Sequence, residues 1–436
     1  MTTIIGPVSE QKSEQRSVWS YPGFANVMVA VFAAFGCWAL LLPVIPKAIL
    51  DGGGSAGLAG ASTGVFMGVT VISQTQTPRL IRRFGYVPTM AFSGVLLGLP
   101  SLLHIFSISA PIVFLVATLR GVGFGTLCVC ESALIASLVP LKLLGRASGT
   151  LGAMVGLGEL LMLPLGLVLA STLGSYTPVY IIATVVGIAG TIFATRIPHV
   201  EPARKSSTRL SETRVPTWKL VAVPAAAMCF TAMGFGGIST FLAPAVIDLG
   251  IDHAALIAGL GLSVVGLAQM ICRYCAGVFA DAKGAGRLIV WAGLLATIGI
   301  GGVAIILVTN ISGWLIFAAL VCYGAGFGVV QNEALLLMFG RLSKDRNEVA
   351  SAIWNASFDS GTGIGSFVLG IVATVAAGGS QFFWVFAAAA ALVGCAFMIT
   401  LIDLVVGNHR ITEENNLRTV IRRFIGAIHI TAIPKK

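Results

Sequence analysis

Six ionisable side chains stand inside apolar stretches long enough to exclude water: Arg120, Glu131, Glu159, Arg273, Glu333 and Asp359. An unpaired charge at mid-bilayer costs about 2.5–3.5 kcal/mol on the insertion scale, so each must pair, neutralise or face water. Carboxyl groups held this way are suited to taking up and releasing protons, because burial disfavours their charged form while a nearby cation favours it. Glu159 lies 12 residues after Ala147 and Asp359 lies 12 after Asn347. At 1.5 Å per helical residue both sit roughly 18 Å from the start of their segments, near the middle of a ~30 Å core. Arg120 reaches a similar depth from the other side, and is expected to hold Glu159 ionised. That leaves Asp359 without a cation and makes it the expected proton-titrating group. The same three residues also fit a plainer role, locking helices together through hydrogen bonds.

Glu131 and Glu333 fall about 21 residues into their segments and so nearer the opposite end. They are expected to act as gates, Glu131 with Arg82 or Arg83 and Glu333 with Lys283 or Arg287, with Arg273 supporting the second latch two turns before Asp281. Ordinary interfacial ion pairs without a gating role fit the same positions. Gln331, Asn332, Trp354 and Asn355 offer hydrogen bonds and an aromatic face to a central cavity, although Trp354 equally suits packing. The histidines, His104, His199, His253, His409 and His429, lie near segment ends or in loops and suggest neither relay nor ligand. Cys272 and Cys275 form a C-x-x-C within a predicted membrane helix, without a second ligand pair, and read as packing residues. Neither a metal site nor a cofactor is expected. Gly52-Gly53-Gly54 lacks the Lys and Ser/Thr of a phosphate loop, and no catalytic constellation is present, so an enzyme is not expected.

The elements that must position these residues follow from composition. Of 436 residues, 56% are hydrophobic and 10% charged, against roughly a quarter charged in soluble domains. Apolar runs such as Phe24 to Pro46 and Leu288 to Val308 are each long enough to cross hydrocarbon. Twelve spans are predicted, starting near Phe24, Leu58, Tyr86, Ala110, Ala147, Thr177, Trp218, Ala255, Arg287, Ser312, Asn347 and Gln381. The second is weakened by the polar run Ser73 to Thr77. With the N-terminus inside, 24 of the 27 Lys and Arg fall on the cytoplasmic side, Arg120 and Arg273 lie within spans, and Lys47 alone lies outside, as the positive-inside rule requires. The formal charge of +10 is thus spread among loops, and nucleic-acid binding is not expected.

The segment His199 to Thr217, with Arg204, Lys205, Arg209 and Arg214 among Ser, Thr and Pro, reads as a linker between six spans and six. An internal repeat supports the division. Gly121-Val122-Gly123-Phe124-Gly125 returns as Gly324-Ala325-Gly326-Phe327-Gly328, Gly36 and Pro43 return as Gly237 and Pro244, and Gly85 returns as Gly284. The offsets of these positions, 203, 201 and 199, are nearly constant and imply two parallel six-helix bundles. The predicted organisation is a cytoplasmic tail (1–22), a bundle (23–197), a linker (198–217), a second bundle (218–406) and a cytoplasmic tail (407–436). In the last tail, Leu417, Val420, Ile421, Phe424, Ile425 and Ile428 form an apolar stripe beside Arg418, Arg422 and Arg423. It fits a helix lying on an anionic leaflet or packing on the bundle ends.

The run Gly277-Val278-Phe279-Ala280-Asp281-Ala282-Lys283-Gly284-Ala285-Gly286-Arg287 resembles the cytoplasmic loop signature of the major facilitator superfamily. The loop after span two departs from it, with Pro78 in place of Gly and Arg82 in place of the acid. Arg120 with Gly121, Gly123 and Gly125 resembles the family's span-four signature, which the family associates with proton coupling. Gly152, Gly156, Gly158, Pro164 and Gly166 only loosely resemble the antiporter signature, whose adjacent Gly-Pro is missing. The resemblance covers nearly all of the chain apart from its tails. It implies an all-α membrane protein of twelve transmembrane helices, multi-pass in the cytoplasmic membrane with both termini cytoplasmic. The expected activity is proton-coupled export of a small organic solute by alternating access, as a monomer. Proton-linked uptake of a nutrient is the nearest alternative, and a non-transporting sensor a further one.

Overall fold

The computed structural model describes residues 17–200, 216–309, 311–376 and 381–406. Within them the chain is almost wholly helical. The helices are α1 (Phe24–Leu41), α2 (Val44–Asp51), α3 (Ala56–Phe84), α4 (Tyr86–Gly98), α5 (Leu103–Phe106), α6 (Ala110–Leu138), α7 (Leu144–Leu173) and α8 (Thr177–Thr195), then α9 (Thr217–Asp248), α10 (Ala254–Lys283), α11 (Ile289–Thr309), α12 (Trp314–Arg341), α13 (Asn347–Val375) and α14 (Gln381–Val406). The tail 1–16, the linker cations Arg204 to Arg214 and the predicted amphipathic helix of 417–428 lie outside the described residues.

Local chemistry explains the breaks. Pro43 has no N–H to donate and separates α1 from α2. Ser55 caps α3 by accepting from the Leu58 amide at 3.1 Å. Helices α3 and α10 end alike, on Gly85 (φ 87°) and Gly284 (φ 91°), in a region that side chains resist, with Arg82 and Arg83 or Lys283 in the last turn where the helix dipole favours cations.

Packing repeats with the sequence. Helix α1 packs on α7 and α8, α3 on α6, and α4 on α6 and α8; correspondingly α9 packs on α13 and α14, α10 on α12, and α11 on α12 and α14. The two groups meet mainly through α7 against α10 and α13 against α3 and α6. In lipid there is no hydrophobic drive between helices, so association relies on close contact, hydrogen bonds and small residues. Outward faces suit that solvent: Ile181, Val185, Ile188 and Ile192 form one exposed apolar stripe along α8.

Eleven helical segments among the described residues are long and apolar enough to cross a membrane. The predicted second span, α3, is not one of them, although its 29 residues reach about 43 Å. Its polarity has a structural use. Thr70, Ser73, Gln74 and Thr77 are all buried, so these residues face protein rather than lipid. Helices α8 and α9 end and begin at one side of the molecule, called here the linker end.

Candidate functional site

The two helix groups touch at the linker end and part toward the other. Gly145 of α7 and Gly277 of α10 meet so closely that a Cβ on either would strike the other's backbone. Immediately beyond, the Asp281 carboxylate accepts from the first amides of α7, Gly145 N at 2.7 Å and Arg146 N at 2.9 Å. It also lies 3.6 Å from Arg146 Nε. A carboxylate on unpaired amides at a helix N-terminus is favoured by both the hydrogen bonds and the dipole. On the repeat-related side, Tyr86 OH donates to Glu348 Oε1 at 3.0 Å, and the Ser132 and Ser351 hydroxyls bond to each other. Ser351 Oγ donates to the Val129 carbonyl at 2.9 Å and Asn355 Nδ2 to that of Cys128 at 3.1 Å. Gln74 Nε2 of α3 donates to Asp359 Oδ2 of α13 at 2.5 Å.

Farther from the linker end the groups separate. Gly60, Gly64 and Gly68 of α3, Gly259 and Gly266 of α10 and Gly363 of α13 face open space. Glu159 and Asp359 are both part-exposed, whereas Glu131 and Arg273 are buried. The two groups are thus closed against each other at the linker end, with the two carboxyl groups part-exposed beyond that contact.

Several predicted pairings differ in the structure. Arg120 does not reach Glu159: its Nε donates to the Leu97 carbonyl at 3.0 Å and its guanidinium lies 5.7 Å from the Phe66 ring centroid, inside the first helix group. The cation acting on Glu159 is Arg273, which acts on Glu131 as well. Arg273 is thus no support for the latch at Asp281 but a central charge, bonded to Gln331 Oε1 at 3.2 Å, 5.3 Å over the Trp354 ring, and packed against Gly152, where a side chain would collide with it. Glu131 makes no ion pair with Arg82 or Arg83, whose side chains are exposed while Glu131 is buried; the cation acting on it is Arg273. Glu333 pairs with neither Lys283 nor Arg287, both exposed; its carboxylate bonds the Gly286 amide and faces those of Arg287 and Leu288, capping α11. That contact stays within one helix group and closes nothing between the two.

Gln331, Asn332, Trp354 and Asn355 are buried rather than lining open space, with Trp354 Nε1 donating to the Gln331 carbonyl at 3.0 Å. His104, read as a segment-end residue, is buried beside Tyr180.

A description of the Major Facilitator Superfamily matches residues 27–366. The chain belongs to the major facilitator superfamily. Its fold is similar to that of the proton:xylose symporter XylE bound to 6-bromo-6-deoxy-D-glucose, with a TM-score of 0.71 and 14% identity over 88% of this chain and 96% of that one. None of the curated proteins compared with the chain matches it.

As a superfamily member built on a repeat, the chain carries partners that the offset of about 200 residues identifies. Gln74 and Asp359 correspond to Arg273 and Glu159: α3 reaches α13 with an amide where α10 reaches α7 with a guanidinium. Arg82 and Glu348 correspond to Asp281 and Arg146. Asp281 pairs with Arg146, and Arg82 acts on Glu348, so the same corner is built twice with its charges exchanged. Gln74, Tyr86, Arg146 and Glu348 were not singled out from the sequence. Applying the glycine offset of 199 to Arg273 finds Gln74; Tyr86, Arg146 and Glu348 have no such signal. The buried pair Arg341 and Asp403, 2.8 Å apart, was missed too and ties α12 to α14.

Proposed function

We propose that this chain is a secondary transporter that carries a small organic solute across the cytoplasmic membrane by alternating access, driven by protons. Twelve spans form two rocking bundles, 23–197 and 218–406, and the linker end is cytoplasmic because the loops there hold most of the 27 Lys and Arg. The observation that carries the reading is the pair of part-exposed carboxyl groups beyond the linker-end contact, with unequal partners. Glu159 is under the influence of the Arg273 cation, while Asp359 is met by the neutral amide of Gln74. A carboxyl group bonded to an amide across the closing interface is able to gain or lose a proton as the interface opens, without leaving a bare cation behind. Asp359 is the proton carrier, and Glu159 stays in the field of the Arg273 cation.

Export of an amphipathic compound is the first reading, from the scarcity of charge in the membrane-spanning helices. Proton-linked uptake is the second reading, favoured by the structural likeness to a proton symporter. The test is solute transport into proteoliposomes under an imposed pH gradient. Asp359→Asn is expected to lower gradient-driven accumulation at least ~10-fold, the loss typical of removing an essential proton-transfer group, while solute exchange at equal pH continues. Accumulation equal to wild type would exclude Asp359 as the carrier, and the sign of the gradient that drives transport gives the direction.

A further inference from the structure

A cleft lies between α1, α2, α3, α5 and α6, in the half of the molecule away from the linker end. Its walls are mostly apolar, with Leu41, Ile45 and Val113 among them. Two hydrogen-bond donors that face it have unspent capacity: Arg120 Nη2 and Trp38 Nε1 both lack a partner. Arg120 and His104 are each only 4% exposed.

Charge is unbalanced there as well. No carboxylate among the described residues forms an ion pair with Arg120, and the ionisable groups acting on it are Cys37 and Tyr180, neither of which is an acid at neutral pH. A guanidinium is not relieved by losing its proton, so a buried one needs an anion. Its position is fixed in advance: Nε is held by the Leu97 carbonyl and the charge rests on Phe66. Trp38 is fixed too, stacked on Phe124 at 4.8 Å between centroids and 14° between planes, which aims its N–H without satisfying it. Ser62 and Thr63 add hydroxyls to the rim.

We propose that this cleft is a binding site for a monocarboxylate with an apolar body, whose carboxylate is held by Arg120 and Trp38. One permanent cation balances one negative charge, whereas a phosphate or dicarboxylate would leave a charge unmatched in apolar surroundings. The planar fork of Arg120 suits a carboxylate, and the aliphatic wall suits a hydrocarbon or aromatic body. The inference deepens the transport reading, on which it rests for the meaning of the site, by naming the solute class.

The test is thermal unfolding of the detergent-purified protein with sodium benzoate, against benzamide, sodium chloride and sodium sulfate at matched concentration and ionic strength. A ligand bound only by the folded form raises the melting temperature with concentration. Benzoate is expected to stabilise and benzamide and the inorganic salts are not. In Arg120→Gln the half-saturating benzoate concentration is expected to rise on the order of 10- to 100-fold, and in Trp38→Phe, which keeps the ring on Phe124, about 3- to 10-fold. Equal stabilisation by benzamide, by chloride or by sulfate would overturn the proposal. So would unaltered benzoate affinity in monodisperse Arg120→Gln, or, should that variant not fold, in Trp38→Phe. Because binding is read without a gradient, benzoate binding alongside purely downhill transport would sink the coupling reading alone. Loss of this site with intact gradient-driven accumulation of some other solute would sink only the present one.

Discussion

The contact of α10 with α7 and the contact of α3 with α13 share a backbone arrangement and differ in nearly every functional side chain. In the first, glycine meets glycine, Asp281 caps α7 and pairs with Arg146, and Arg273 serves two carboxylates. In the second, Arg82 acts on Glu348, Tyr86 bonds the same carboxylate, and Gln74 meets Asp359. A duplicated bundle keeps its geometry through small residues at helix crossings, while the charges at those crossings are free to diverge. The lesson is a division of labour. On the proposed function, one seam is an electrostatic lock and the other carries the titrating acid.

That comparison is sharpened most by giving the second seam the cation of the first. In Gln74→Arg a fixed positive charge would stand against Asp359 and oppose its protonation. Gradient-driven transport is expected to fall at least ~10-fold, as far as in Asp359→Asn. Wild-type coupling in a folded Gln74→Arg protein would break the distinction between the seams. Next in size is Gly277→Leu, which forces a side chain onto the backbone of α7. Overpacking typically costs about 1–3 kcal/mol, so closure of the linker end is disfavoured roughly 5- to 150-fold. Faster alkylation of a cysteine introduced at the buried Ser148 would report it.

Smaller effects separate the corners. Asp281→Asn removes a charge from the N-terminus of α7, a change of about 0.3–2 kcal/mol that opens the linker end up to ~30-fold in the same labelling experiment. Arg82→Asn is expected to shift it by no more than about fivefold, because Arg82 is exposed and Glu348 keeps its bond to Tyr86. A larger response in Arg82→Asn than in Asp281→Asn would reverse the assignment of lock and titrating seam.

Much of this is readable from residue order. Long apolar runs and constant glycine offsets mark the helices and the repeat, and Asp281 stands in a recognisable loop. Asp359 is marked by depth alone, since 12 residues of helix carry it to mid-membrane wherever its neighbours lie. Partner choice is not readable in the same way. Arg120 and Arg273 both lie deep in apolar helices, and only the rotation of α6 and α10 decides which of them faces Glu159. Depth along the helix brings Glu333 level with Lys283 and Arg287, yet the free amides at the start of α11 are the stronger partners for its carboxylate. His104 looks like a segment end because Ser107 follows, but α5 turns it inward against Tyr180.

The central claim is that the two helix groups seal the linker end in one state and must part there for solute to cross. In a cysteine-free background, Ser132→Cys with Ser351→Cys places two thiols where the hydroxyls now touch across the seam. Oxidative cross-linking should abolish net solute transport in proteoliposomes, and reductant should restore it. Full transport by completely cross-linked protein would contradict the account.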